Sequence, residues 1–184
     1  MKKLMLVLVV AGAFATVAYG QTPDWQEELD KQLPLLGHRN WIVVADSAYP
    51  WQTSPGIKTI YTGEKQLDVV RVALAAVHDA PHVRGSIFVD AELPHVPEAS
   101  AKGIDDYRVG LRKVLEGQQV ASLPHDEIIA LLDEAGATFH VLLLKTDLTL
   151  PYTSVFIRLD CGYWSDDAEQ QLRAAIESEE GAKE

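Results

Sequence analysis

The chain has 184 residues, 47% hydrophobic and 23% charged, which describes one globular domain long enough to bury a core and excludes disorder and a repeat array. Lys and Arg number 16 against 27 Asp and Glu, a formal charge of −11, so binding of nucleic acid through phosphate neutralisation is disfavoured. A single cysteine, Cys161, excludes an intramolecular disulfide and a cysteine-based zinc site, leaving a free thiol.

The first segment reads as an address. Met1-Lys2-Lys3 is a positive start, Leu4 to Val17 is almost wholly apolar, and Ala18-Tyr19-Gly20 ends in small residues at the spacing of a cleavage site. Residues 1–20 are therefore expected to be a signal peptide, with the mature chain starting near Gln21, exported to a periplasm or secreted. The apolar stretch is short for a membrane span, and no Cys stands at the cleavage site to carry a lipid anchor. Cleavage removes two lysines and makes the mature chain more acidic still, with no membrane attachment expected after it.

From there, helical period alternates with short β-branched runs, the pattern of an α/β domain over residues 21–165. A helix is predicted from about Asp24 to Leu33, with Thr22 and Pro23 as its start signal. Trp41 to Ala45 is a continuous apolar run closed by Asp46, the reading of a strand buried on both faces. A Pro- and Trp-rich loop follows from Tyr49 to Pro55, and Trp51 on it is a candidate ligand contact, whereas Trp41 belongs to the core. Leu67, Val70, Leu74 and Val77 recur at helical spacing in a helix that must stop before Pro81. Ser86 to Asp90 predicts a second buried strand, and Ile104 to Leu115 a helix ending at Gly117. A short strand is expected at Gln118 to Ala121, then a helix opened by Ser122 and Pro124 and running to Gly136. Phe139 to Leu144 and Ser154 to Leu159 read as strands. Residues 166–184 read as an acidic amphipathic helix, with Leu172 and Ile176 as its weak apolar stripe, fading into a tail.

Motifs for nucleotide phosphates and for a serine nucleophile elbow are missing. His78 and His82 are four apart, as a metal pair on one helix face would be, but Pro81 breaks that geometry. With His95, Glu92 and Glu98 nearby, these read as loop histidines, and no metal site is expected.

Two segments join polar chemistry to buried strands. In Gly37-His38-Arg39-Asn40 followed by the 41–45 run and Asp46, a histidine precedes the strand and a carboxylate closes it. In Tyr152-Thr153-Ser154-Val155-Phe156-Ile157, period-two alternation would put Tyr152 and Ser154 on one face. Here the chain resembles the family of D-ribose pyranases and L-fucose mutarotases. The resemblance rests on Gly37-His38 before a strand ending in the Asp46 to Pro50 turn, and on Tyr152 before the apolar strand 155–157, and it covers about Leu33 to Leu159. His125, in the first turn of its helix, stands where ribose-type members place a second histidine. The family's Asn after Tyr-x is Ser154 in this chain, a shorter group that lacks an amide.

The resemblance implies a single three-layer α/β domain with a mostly parallel or mixed central sheet. It also implies a cofactor-free mutarotase or pyranase that interconverts the ring forms of a monosaccharide by general acid/base chemistry. His38 would be the principal acid/base, Tyr152 a proton partner or hydroxyl anchor, Asp46 an orienting or hydroxyl-binding group, and His125 a second acid/base; Ser154 and Trp51 would contact sugar. The alternative is a carbohydrate-binding protein on the same scaffold that lacks catalysis. His38 and Asp46 are eight residues apart, roughly 26 Å if fully extended. Either the chain folds back around the strand or a neighbouring subunit completes the site, and the resemblance implies a homo-oligomer with sites at subunit interfaces.

Overall fold

The computed structural model describes residues 24–181; the predicted signal peptide, residues 1–20, lies outside them. Helix α1 (Trp25–Gln32) starts where Asp24 caps it, its carboxylate accepting from the Gln26 N–H at 3.0 Å, so the start signal is Asp24 itself. A 3₁₀ turn, Leu33–Leu35, follows and leads through Gly37 to Asn40 into strand β1 (Trp41–Ala45), every residue of which is buried.

Strand β2 (Ile57–Tyr61) has no counterpart in the predicted elements. It carries Lys58 and Thr59 between its isoleucines and is only half-buried, because it is an edge strand that alternates weakly. Gly56 admits it: a Cβ there would stand 2.3 Å from the Phe139 carbonyl oxygen and 2.4 Å from that of Gly136. Helix α2 (Gln66–Asp79) stops before Pro81 as expected. Strand β3 (Val83–Asp90) starts three residues earlier than its apolar run, because Val83 to Gly85 pair with the end of β6 (Val155–Cys161). Helix α3 (Ile104–Val114), strand β4 (Val120–Leu123), helix α4 (His125–Thr138) and strand β5 (Val141–Lys145) lie within a few residues of their predicted positions. Helix α5 (Asp166–Gly181) closes the described chain.

The six strands form one sheet in the order β2-β5-β1-β6-β3-β4. All run parallel except β6, which is antiparallel to both β1 and β3, so the sheet is mixed. Burial alternates along the central strands. Ile42, Val44, Leu142, Leu144, Ile157 and Leu159 pack under α1, α2 and α3, while Trp41, Val43, Val141, Leu143 and Phe156 pack under Ile128, Leu132 and Ala135 of α4. Helices therefore cover both faces, giving three layers around a sheet whose apolar strands need burial on both sides. Among the described residues, no helix is long and apolar enough to cross a membrane.

This architecture creates two ends. The carboxyl ends of β1, β3, β4 and β5 emerge together at residues 46, 91, 124 and 146, the place where open α/β sheets hold ligands. At the other end lie residues 37–40 before β1 and the last residues of β6.

Candidate active site

At the carboxyl end, β3 delivers Asp90 and the turn after β4 delivers His125. Asp90 is fully buried, and one of its carboxylate oxygens lies 2.9 Å from His125 Nδ1. The Glu92 carboxylate accepts from the backbone N–H of His125 with both oxygens at 3.1 Å. An anion thus caps the first turn of α4 and holds the imidazole at the end of the sheet. Burial raises the Asp90 carboxyl above its ordinary value; His125 opposes the shift, and Glu92 and Asp46 reinforce it. The second Asp90 oxygen is buried without a partner, an arrangement that costs stability.

Tyr152 packs edge-on against the His125 ring, with centroids 5.5 Å apart. Its backbone is left-handed, φ 56°, a conformation unusual for a non-glycine residue. Tyr152 therefore lies in a turn ahead of β6, and the expected strand alternation with Ser154 does not extend to it: Tyr152 is 39% exposed and Ser154 only 2%. Asp46 sits in the turn after β1, one oxygen accepting from the Ala48 N–H at 2.8 Å. Asp46, Tyr49, Gln52, His125 and Tyr152 line one cavity of about 370 Å³, large enough for a monosaccharide. Trp51 stands 86% exposed on the neighbouring loop, outside this lining, and Ser154 is not part of it.

His38 is at the opposite end of the sheet. The strand between His38 and Asp46 is fully extended, so the chain does not fold back to bring them together. His38 Nδ1 lies 3.6 Å from Asp160 near the end of β6, and the Ser86 hydroxyl donates to the other Asp160 oxygen at 2.7 Å. Arg158 Nη2 approaches that second oxygen to 3.6 Å. These groups, with Arg84 and Trp164, wall a cavity of about 570 Å³. Each end thus presents a histidine beside a carboxylate, and one chain does not join the two.

Sequence reasoning missed Asp90 and Asp160 as partners of the two histidines. Asp90 carried a usable signal: it closes the apolar run Ser86 to Val89 as Asp46 closes Trp41 to Ala45, and both strands point the same way. Asp160 carried none, since a polar residue near the end of a strand is ordinary.

No protein-family model matches the chain, and no curated protein matches it by sequence. Solved structures do. The Bacillus subtilis protein RbsD, complexed with D-ribose, superposes with a TM-score of 0.51 at 18% identity, over 72% of this chain and 91% of that one. The fucose mutarotase from Streptococcus pneumoniae in complex with L-fucose matches at TM-score 0.49 and 16% identity, over 77% and 97%. FucU from Bifidobacterium longum matches at 0.49 and 15%, over 73% and 94%. The likeness to RbsD shows the fold: this chain is built on the same α/β scaffold.

Proposed function

We propose that this protein is a cofactor-free mutarotase or pyranase for a monosaccharide, acting at a composite site made by two copies of the chain. The observation that carries the reading is the cluster at the carboxyl end of the sheet. A histidine is held there by a buried carboxylate, with a tyrosine against its ring and a second carboxylate in the same cavity. The scaffold shared with a ribose-bound protein supports a monosaccharide as the ligand.

The chemistry asks for little else. Opening a cyclic sugar removes the proton from the anomeric hydroxyl and delivers one to the ring oxygen as the bond between that oxygen and the anomeric carbon breaks. The freed aldehyde rotates and recloses on either face, or through another hydroxyl, with the two proton transfers reversed. No electrons change hands, so one base and one acid in reach suffice. An imidazole, whose ordinary pKa is near 6.5, serves in both roles at neutral pH. His125, steadied by Asp90, supplies one of these groups and Tyr152 a hydroxyl beside it; Asp46 accepts from sugar hydroxyls. His38, backed by Asp160, comes from the neighbouring copy, because its own chain holds it at the far end of the sheet. The leader-like residues 1–20 support export of this activity from the cytoplasm.

The burial of Ser154, where the family carries an amide, favours one other reading: binding without turnover. Saturation-transfer NMR on D-ribose, L-fucose and other monosaccharides separates the two. The mutarotase reading predicts faster exchange between ring forms, reduced about 10²-fold or more in His125→Ala and in His38→Ala. Binding with unaccelerated exchange would replace it with the sugar-binding reading, and no effect on any sugar would leave only the fold.

A further inference from the structure

Beneath the candidate site, between α2, α3 and the ends of β1 and β5, lies a buried polar knot that an apolar core would not need. Gln66, in the first turn of α2, is 2% exposed and has every polar atom of its side chain engaged. Its amide nitrogen donates to the Thr153 carbonyl oxygen and lies 3.1 Å from the Tyr107 hydroxyl. That hydroxyl, on α3, donates to the same Thr153 carbonyl at 2.6 Å. The amide oxygen of Gln66 is 2.9 Å from the Thr146 hydroxyl, which is also 3.0 Å from the Ala45 carbonyl and shares its one proton between the two.

What the knot grips is informative. Thr153 is the residue after Tyr152, and the Ala45 carbonyl carbon is bonded to the Asp46 nitrogen. Two residues from distant parts of the sequence that line the same cavity are each tied, through the adjacent residue, to one buried network. Tyr152 also holds a left-handed φ of 56°, a strained conformation for a non-glycine residue that persists only where the surroundings over-determine it. Two donors converging on the next carbonyl provide that determination. The loop that carries Tyr152 has further ties of its own, the Thr153 hydroxyl donating to Leu150 O at 2.8 Å and the Leu148 carbonyl accepting from Ser47 N at 2.8 Å. Those bonds shape the loop, whereas Gln66 and Tyr107 attach it to the helices.

We infer that Gln66 and Tyr107 are positioning residues that set the Tyr152 ring against His125 for the reaction proposed above, on which this inference rests. Neither touches the cavity lined by His125 and Tyr152. They act through the Thr153 carbonyl, and each supplies a donor that the other partly replaces. A buried network of this kind is stable when every member is satisfied and costly once a member is left alone.

The test uses the full mature chain with Gln66→Met, Tyr107→Phe and the pair combined, changes that keep side-chain volume and remove the polar groups that reach the Thr153 carbonyl. Gln66→Met also removes the partner of the Thr146 hydroxyl, which keeps its bond to the Ala45 carbonyl. Two readouts are taken: the nuclear Overhauser contact between the His125 and Tyr152 rings in selectively labelled protein, and ring-form exchange of whichever monosaccharide the wild type accelerates. Each single variant is expected to weaken the ring contact. The double variant is expected to lose it, with kcat falling about tenfold to a hundredfold. The change should fall on kcat more than on KM, and the double loss should exceed the product of the single losses. Ring contact and kcat at wild-type level in both single variants would overturn the inference, whether or not the double variant folds. Wild-type protein that accelerates no sugar would refute the proposed function instead, and the ring contact would still decide this inference.

Discussion

Asp90 is the residue at which function and stability pull apart most clearly. Its carboxyl is buried, bonded to His125 through one oxygen and alone at the other. Because burial raises its pKa in the folded state, the folded chain binds that proton more tightly than the unfolded chain does. Stability therefore falls as pH rises from the ordinary carboxylate value through the raised one, and above that window the full penalty is present. Asn at this position has no charge to bury. Asp90→Asn is thus predicted to gain stability relative to wild type as pH rises from about 4 to 7, read from urea midpoints across that range. The same change should slow ring-form exchange by about 10²-fold or more, since it loosens the histidine it holds. A variant less stable than wild type at pH 7, with no trend in pH, would contradict this account of Asp90. Of the histidines read as loop residues, His78 lies in the last turn of α2, and His82, in the turn before β3, behaves differently from His125. His82 Nε2 lies 3.2 and 3.1 Å from the carbonyls of Leu33 and Leu36, so it carries a proton and ties the turn after α1 to the start of β3.

At the scale of elements, the edge strand β2 depends on one glycine. A methyl group on Gly56 would meet two backbone carbonyl oxygens, which have no rotamer by which to retreat. Gly56→Ala is predicted to cost about 1–3 kcal/mol in urea unfolding, as overpacking does, and unchanged stability would mean that the β2 entry is looser than described. The same element shows where sequence is silent. Strand β1 and nearly all of β5 are buried on both faces and read as unbroken apolar runs, as does the start of β6, whereas Ile57 to Tyr61 is half-covered and mixes Lys58 and Thr59 with its isoleucines. Helices α2 and α3 were legible because each buries one stripe, with Val70, Val77 and Leu111 recurring at helical spacing. The site was half legible. His38, Asp46, His125 and Tyr152 stand out as polar residues at the mouths of strands and helices. The grouping of His125 with Asp90, and of His38 with Asp160, depends on strand order, and no local pattern encodes an order in which β6 separates β1 from β3. The left-handed turn at Tyr152 was illegible for a related reason: the network that imposes it comes from Gln66 and Tyr107, far away in the chain.

For the whole molecule, the sheet sets the logic. Its carboxyl end gathers His125, Asp90, Asp46 and Tyr152, and its other end holds His38 with Asp160, Ser86 and Arg158. The extended strand β1 holds these ends of one chain apart, so a site that uses both needs the His38 end of one copy to meet the His125 end of another. Such a contact forms reciprocally across a two-fold axis or, repeated in one direction, closes as a ring. The account accordingly predicts an oligomer in sedimentation at micromolar concentration. A mixing experiment tests that claim most directly. His38→Ala and His125→Ala, each inactive alone, are unfolded and refolded together, and exchange between sugar ring forms is measured. With random assembly, intact sites form where an unaltered His38 meets an unaltered His125 from the next copy, so activity should return to about a quarter of wild type. A mixture as inactive as its two components, from chains that assemble normally, would contradict the composite site.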